Sequence, residues 1–161
     1  MNEPMADHTS LGVGGPADIF VSIADEEELR DLVSACTTNE VPYLVLGGGT
    51  NLLVRDRGFR GVVIDVKHGL QEISREERDG RTLVAAQAGV GLQMLCRYAL
   101  DHGLAGMNFA LGIPGTVGGA VIMNAGTAGG SMADVVTAVY LLGPDGEMIS
   151  REKETLDFVY R

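Results

Sequence analysis

Residues 106–130 read GMNFALGIPGTVGGAVIMNAGTAGG, and they lie inside a longer run, residues 103–133, that contains no charged residue. Glycine loses more conformational freedom on folding than any other residue, so a dense cluster of it needs a structural reason. One reason is a backbone that takes positive φ angles or that approaches another group very closely. A ligand with phosphates and a flat ring would be such a group, so the stretch indicates a binding loop.

Three interpretations of this stretch are open. A membrane helix is disfavoured, because Pro114 and the glycines break helices and the nearest flanking charges are Asp101 and Asp134. A buried glycine-rich loop without a ligand is the second interpretation. The third is a cofactor cradle, in which backbone N–H groups and the Thr116 hydroxyl hold an anion. The stretch lacks the lysine of a Walker loop and does not match the dinucleotide-binding pattern G-x-G-x-x-G.

The chain has 161 residues, which is enough for one domain with a hydrophobic core. Its net charge of −10 argues against a general nucleic-acid binder, although local amides can still bind an anion. The acidic, polar start shows no signal peptide, and we expect a cytoplasmic protein. Cys36 and Cys96 fall on predicted apolar helix faces and are expected to be reduced core thiols. The acidic residues 26–28 fit a solvated helix start, and no metal site is predicted.

The first part of the chain predicts a β–α–β unit. Residues 17–23 alternate and are rich in β-formers, which favours a strand. Asp25 is a predicted N-cap, and apolar residues at i, i+3, i+4 and i+7 predict a helix to about Thr38. Residues 43–46 are wholly apolar, as a buried parallel strand should be.

That second strand runs directly into Gly47, Gly48, Gly49, Thr50 and Asn51. This arrangement presents a row of free amides and two small polar side chains, which is the outline of a phosphate-binding nest. A plain tight turn rarely needs three consecutive glycines. At Gly48 in particular we expect a positive φ angle and a close approach to phosphate, both of which a β-branched side chain would oppose.

The remaining elements are predicted in the same way. Residues 61–66 and 82–88 favour strands, and the polar residues 71–81 favour a surface hairpin or loop. An amphipathic helix starts near Leu92 and stops at Gly103. Residues 135–142 and 147–150 are predicted to pair as a hairpin around a turn at 143–146. The apolar end of the chain carries no stop signal, so we expect it to be part of a longer protein.

Four segments together resemble the UDP-N-acetylenolpyruvoylglucosamine reductases, flavoenzymes of bacterial peptidoglycan precursor synthesis. They are HTSLGVGGPADIFV (8–21), VLGGGTNLLV (45–54), GIPGTVGGAVIMNAG (112–126) and LDFVYR (156–161). They follow the order of the family across nearly the whole chain, and the second and third are specific in combination. The resemblance implies an α/β (α+β) fold with two subdomains that bind FAD, of the vanillyl-alcohol-oxidase type.

The resemblance also implies where FAD would bind. In that family, loops like residues 47–52 and 113–119 hold the FAD pyrophosphate, and a segment like 122–126 runs along the flavin. Neither glycine-rich loop contains histidine, so we expect the FAD to be non-covalent. The cofactor-binding residues implied are Gly47, Gly48, Gly49, Thr50, Asn51, Leu52, Ile113, Pro114, Gly115, Thr116, Gly118, Gly119, Ile122, Met123, Asn124 and Gly126.

The chemistry that the resemblance implies is the reduction of the enolpyruvyl ether of UDP-N-acetylglucosamine, with NADPH as the hydride donor. Arg161 matches the catalytic arginine, which together with a glutamate stabilises the developing enolate, and Tyr160 matches a substrate-side tyrosine. The catalytic serine and glutamate of the family would lie beyond Arg161. We therefore expect this chain alone to be inactive.

The expected organisation is one FAD-binding domain, with one subdomain at about 1–68 and a second at about 69–161, and with the C-terminal substrate domain missing from this chain. We expect a monomer without nucleic-acid or membrane partners. Ala128 stands where many members carry an aromatic residue, which leaves the family subtype open. Two alternatives also stay open: a flavin oxidase of the same fold and a flavin- or nucleotide-binding module without activity.

Overall fold

The computed structural model describes residues 1–159, which form a mixed α/β fold. The α-helices are α1 (Glu26–Thr38), α2 (Leu92–Asp101), α3 (Val117–Ile122) and α4 (Met132–Val135). Short 3-10 helices cover Met5–His8, Asn108–Ala110 and Lys153–Thr155. The strands are β1 (Glu3–Pro4), β2 (Pro16–Ser22), β3 (Tyr43–Leu46), β4 (Phe59–Asp65), β5 (Ile73–Arg78), β6 (Arg81–Ala86), β7 (Gly126–Thr127), β8 (Gly130–Ser131), β9 (Ala138–Leu142) and β10 (Met148–Glu152).

The first sheet has the strand order β1-β2-β4-β3. Strands β2 and β3 both run parallel to β4, which lies between them, and Ile64 pairs with Val21 on one side and Val45 on the other. Along β4, Val62 and Ile64 pack into the cluster that contains α1, while Val63 packs with Met5 on the opposite face. Both faces of β4 are therefore buried at its centre, which explains the unbroken apolar run of residues 62–64. The predicted β–α–β unit is confirmed.

Helix α1 begins where the sequence predicts. The Asp25 carboxylate accepts a hydrogen bond from the Glu28 amide at 2.9 Å, which satisfies one of the free N–H groups of the first turn. Leu29, Val33 and Cys36 form its buried face against β4. Burial raises the pKa of the Cys36 thiol, so the thiol stays protonated at neutral pH. The prediction of a core thiol at Cys36 is confirmed.

The second part of the chain has its own apolar cluster. It joins α2 to α3 and α4 through Leu95, Cys96, Phe109, Val117 and Met132. Burial raises the pKa of Cys96, and the Cys96 Sγ also lies 3.7 Å from the Met107 carbonyl. Strands β5 and β6 pair as an antiparallel hairpin, as the polar residues 71–81 predict. Phe109 and Val117 belong to the glycine-rich stretch, so this cluster packs the stretch against α2 and α4.

One boundary differs from the prediction. Residue Val135 ends helix α4, and strand β9 starts only at Ala138. Asp134 Oδ2 accepts hydrogen bonds from the amide and the hydroxyl of Ser131, at 2.7 and 3.2 Å. The Ser-x-x-Asp spacing is a local helix-start signal, and it prevails over the β-propensity of the valines that follow. The hairpin of β9 and β10 around residues 143–147 is confirmed.

Over residues 1–159, the structure has no helix with enough length and apolar character to cross a bilayer. The glycine-rich stretch 106–130 is divided into a 3-10 helix, loops, the short helix α3 and strand β7.

Candidate functional site

Two glycine-rich loops meet at one place in the structure. The first glycine loop (residues 47–52) follows β3, and the second glycine loop (residues 113–119) leads into α3. A Cβ placed on Gly48 would lie 3.0 Å from Gly115 Cα, and one on Gly47 would overlap the Thr116 hydroxyl. The Thr50 hydroxyl donates to the Pro114 carbonyl at 3.4 Å. The two loops that the sequence singles out separately therefore form a single site.

The glycines of the first loop have different physical roles. Gly49 has φ +60°, and a Cβ on it would overlap the carbonyl oxygen of His8. Gly48 is not among the glycines with positive φ, so the expectation of a left-handed Gly48 is wrong. Glycine is needed at position 48 because the backbone of Gly115 lies too close to leave room for a side chain. The neighbouring N-terminal segment fixes this loop, since the Ser10 amide donates to Gly49 O at 3.0 Å.

Many backbone amides of the two loops have no hydrogen-bond partner among residues 1–159. Within residues 1–159, none of the backbone N–H groups of residues 47–51 donates a hydrogen bond, nor do those of Gly115 and Thr116. Amide groups without a protein partner must bind water or a ligand, because leaving them unpaired is costly. Clustered amides of this kind suit an anion, and phosphate in particular.

Backbone hydrogen bonds to Val90 and Leu92 anchor the second loop. Gly115 O accepts from the Leu92 amide at 2.9 Å, and the Val117 amide donates to Val90 O at 2.8 Å. A Cβ on Gly118 would lie 2.7 Å from the Cβ of Ala88, so only glycine fits here without displacement. Thr116 is 3% exposed, and its hydroxyl accepts from the Gly119 amide at 3.4 Å as the N-cap of α3. Its hydroxyl therefore stabilises the loop from inside.

Residues 122–126 divide into an outer and an inner part. Ile122 is 84% exposed and Met123 is 38% exposed, so both present apolar surface beside the loops. Asn124 is 7% exposed, has φ +43°, and accepts from the Ala133 amide at 3.0 Å through Oδ1. A Cβ on Gly126 would lie 2.6 Å from Gly130 O. Asn124 and Gly126 therefore fix the backbone, while Ile122 and Met123 are available for contact.

A cleft of about 310 Å³ opens beside the first loop. The buried Asp65 lies in it and accepts from the Ser22 hydroxyl at 3.1 Å and from the Lys67 amide at 2.9 Å. His8, from the N-terminal segment, and His68, which follows β4, both line the cleft, and no local sequence signal brings them together. The lining residues are Asp7, His8, Thr9, Ser10, Leu46, Gly47, Gly48, Asp65, Lys67 and His68.

Two predicted site residues fall outside the described part of the chain. These are Tyr160 and Arg161, the predicted substrate-side and catalytic residues. Among residues 1–159, no group of three or more histidine, cysteine, aspartate or glutamate side chains is arranged to hold a metal ion.

A family model described as "FAD binding domain" matches residues 17–151, which include both glycine loops. The chain belongs to the FAD-binding domain family. The loops of this FAD-binding domain are thus part of the matched region, and FAD is the ligand that the family description gives for it.

This FAD-binding domain is similar to reductases whose sequences are known. It is 55% identical to the UDP-N-acetylenolpyruvoylglucosamine reductase of Desulfosudis oleivorans over 161 residues, covering 99% of this chain and 51% of that protein. The reductase of the same name from Syntrophus aciditrophicus is 46% identical, with the same coverage of both chains. The resemblance found in the sequence motifs is confirmed. The chain spans about half the length of the curated relatives it matches.

Solved structures support the fold of the domain. The UDP-N-acetylenolpyruvylglucosamine reductase from Thermus caldophilus aligns with a TM-score of 0.75 at 40% identity, covering 98% of this chain and 54% of that one. A solvent-stable cholesterol oxidase aligns with a TM-score of 0.71 at 18% identity, covering 92% of this chain and 31% of that one, which shows the fold alone. The predicted α/β fold of the vanillyl-alcohol-oxidase type is confirmed.

Proposed function

We propose that the chain is the FAD-binding part of an NADPH-dependent reductase that converts UDP-N-acetylglucosamine enolpyruvate to UDP-N-acetylmuramate. The observation that carries this proposal is the meeting of the two glycine loops, with their unpartnered amides, inside a FAD-binding domain. Support for the reductase activity comes from the relatives of that name, at up to 55% identity over this chain. The reaction belongs to cytoplasmic peptidoglycan precursor synthesis.

The residues of the two loops fit the diphosphate of FAD. Neutral N–H groups can bind an anion without a cationic side chain, so the net charge of −10 does not oppose this site. The absence of a Cβ at Gly47, Gly48 and Gly115 lets the two loops lie against each other, which brings their amides together. We assign the pyrophosphate to Gly47, Gly48, Gly49, Thr50, Asn51, Leu52, Ile113, Pro114, Gly115, Thr116, Gly118 and Gly119.

The flavin ring is assigned to the segment that follows the second loop. Ile122 and Met123 provide exposed apolar surface for a flat ring, and such surface is more stable when covered. Asn124 and Gly126 hold that segment in place through the Ala133 amide and the pairing of β7 with β8. The FAD is bound without a covalent link.

FAD, when bound, supplies the transfer of a hydride from NADPH to the substrate. The task proposed for Arg161 is to pair with the carboxylate of the enolpyruvyl group, because a guanidinium stays charged and binds a carboxylate with two hydrogen bonds. Tyr160 is proposed to lie on the substrate side. A proton donor and a further acidic residue, which the family takes from a later part of its sequence, complete the site.

The organisation proposed for the protein has two FAD-binding subdomains, at about 1–68 and 69–161, and a C-terminal substrate domain, in a monomer. Because catalytic groups work only when held near productive geometry, residues 1–161 alone should not turn over the substrate.

The test is steady-state NADPH oxidation, with and without UDP-N-acetylglucosamine enolpyruvate, on residues 1–161 and on a protein extended through the substrate domain. The extended protein should show substrate-dependent oxidation and the short chain should not. In the extended protein, Arg161→Lys should lower kcat by a factor of about 100 or more with little change in FAD content, because lysine cannot make the paired contact.

Arg151 offers a matched control. It is exposed on β10, and Arg151→Lys should leave the turnover of the extended protein unchanged. Substrate-dependent turnover by residues 1–161 would contradict the proposal that the substrate domain is needed for activity. A fully active Arg161→Lys protein would remove Arg161 from the active site.

A further inference from the structure

One side chain of α2 engages the segment that leads into the second glycine loop. The Nε2 group of Gln93 donates to the carbonyls of Ala110 at 3.1 Å and Ile113 at 2.8 Å. Its Oε1 accepts from the Gly112 amide at 3.4 Å. The amide group of Gln93 therefore uses both its donor and its acceptor capacity on residues 110–113.

The middle of this segment, Leu111 and Gly112, has little other support, whereas Ala110 is buried in the apolar cluster and Ile113 packs against it. Gly112 has φ +86° and a Cβ on it would meet nothing within 4 Å, and Leu111 is exposed. Apart from Gln93, the Ile113 amide is held by Ala110 O at 3.1 Å and the Leu111 amide by Asn108 O at 3.3 Å. Two exposed residues with so few contacts have many accessible conformations unless a side chain restricts them. Gln93 supplies that restriction.

The same turn of α2 also fixes the far side of the loop. The Leu92 amide donates to Gly115 O at 2.9 Å, and Gly91 forms a β-bridge with Thr116. Gln93 and its two preceding residues therefore hold the chain on both sides of Pro114. The position of the unpartnered amides of Gly115 and Thr116 follows from these contacts.

We infer that Gln93 is a positioning residue for cofactor binding, which holds the second glycine loop in its binding conformation without touching the cofactor. The inference rests on the proposed FAD site. Ordering a loop before the ligand arrives reduces the entropy that binding must offset, so the contribution of Gln93 should be seen in affinity. Gln93 is exposed, and two of its three hydrogen bonds lie at the surface while the one to Ala110 is part-buried, so its contribution to global stability should be small.

The experiment replaces Gln93 by methionine, which has a similar length and lacks the amide. FAD dissociation constants and the melting temperature of the FAD-free protein are measured for the wild type and the variant. Gln93→Met should raise the Kd for FAD about tenfold, as expected for the loss of a few hydrogen bonds. The Kd for ADP, which carries the same diphosphate, should rise by a similar factor, and the melting temperature should stay within about 2 °C.

Asn39 provides the matched control. It is exposed at the end of α1, and its Nδ2 donates to the Ala35 carbonyl at 2.8 Å, outside both glycine loops. Asn39→Leu, which likewise replaces an amide by an apolar group of similar size, should leave the Kd for FAD within about twofold of the wild type.

The possible outcomes distinguish a failure of the proposed FAD site from a failure of the role given to Gln93. A wild-type protein that binds no FAD would overturn the proposed function and this role together. A wild type that binds FAD, with Gln93→Met binding equally well, would overturn only the role of Gln93. Equal losses of affinity in Gln93→Met and Asn39→Leu, or a marked fall in the melting temperature of Gln93→Met, would make Gln93 a purely structural residue.

Discussion

At the scale of single residues, adjacent glycines in the first loop meet different requirements. Gly49 needs a left-handed backbone, whereas Gly47 and Gly48 need the absence of a side chain because the second loop lies against them. A substitution at Gly49 is therefore strained whatever lies nearby, while the effect of a substitution at Gly48 depends on its size. The size of the side chain is thus the variable to test at Gly48.

We expect Gly48→Val to raise the Kd for FAD by a factor of about 100 or more, since its methyl groups would enter the gap to Gly115, where a Cβ alone would lie at 3.0 Å. Gly48→Ala should have a smaller effect because the neighbour needs to move only slightly. Thr50→Ala removes one hydrogen bond to the Pro114 carbonyl and should weaken the binding free energy for FAD by about 1 kcal/mol. FAD titration of the three variants gives the comparison. If all three variants bound FAD as tightly as the wild type, residues 47–51 would be only a structural turn.

At the scale of secondary structure, the sequence predicted the elements whose signals are local. Helix α1 could be placed from Asp25 and the spacing of Leu29, Val33 and Cys36, all of which lie within four turns. Helix α4 could also have been found from Ser131 and Asp134, and the valines nearby led to the wrong choice.

The geometry of the site depends on contacts that no local signal contains. Both glycine loops were predicted to bind phosphate, but the approach of Gly48 to Gly115 joins residues far apart in the sequence. The same holds for His8 beside Gly49 and for the two contacts of Gln93 with Ala110 and Ile113. Such contacts follow from how the sheet and helices pack, which periodicity cannot specify.

Helix α1 offers a test of whether stability and cofactor binding can be separated. Asp25→Ala removes the acceptor of the Glu28 amide and should lower the free energy of unfolding by about 1 kcal/mol. Asp25→Ser keeps a capping oxygen and should lose less. Urea unfolding of the FAD-free proteins measures both. The FAD affinity of both variants should match the wild type, and a change would mean that α1 is coupled to the glycine loops.

At the scale of the whole molecule, the structure bears on whether FAD is attached covalently. The absence of histidine from both glycine loops is not a sufficient argument for non-covalent binding, because His8 and His68 line the adjoining cleft. The ring of His8 is engaged, since its Nε2 lies 2.9 Å from Glu3 Oε1 and it stacks on Phe20 with ring centroids 3.9 Å apart. Cys36 and Cys96 are buried, and burial raises the pKa of both thiols, so neither provides a thiolate.

We therefore expect the FAD to leave the protein when the fold is lost. After acid precipitation of the purified holoprotein, the yellow colour should be in the supernatant, because non-covalent binding depends on the folded positions of the two glycine loops. His68→Ala, which removes the more exposed of the two cleft histidines, should release the same fraction of flavin. Colour that stays with the pellet, together with a protein mass raised by that of FAD, would contradict the non-covalent assignment. Loss of that pellet colour in His68→Ala or in a His8→Ala protein would then identify the attachment site, since a covalent link cannot form without its side chain.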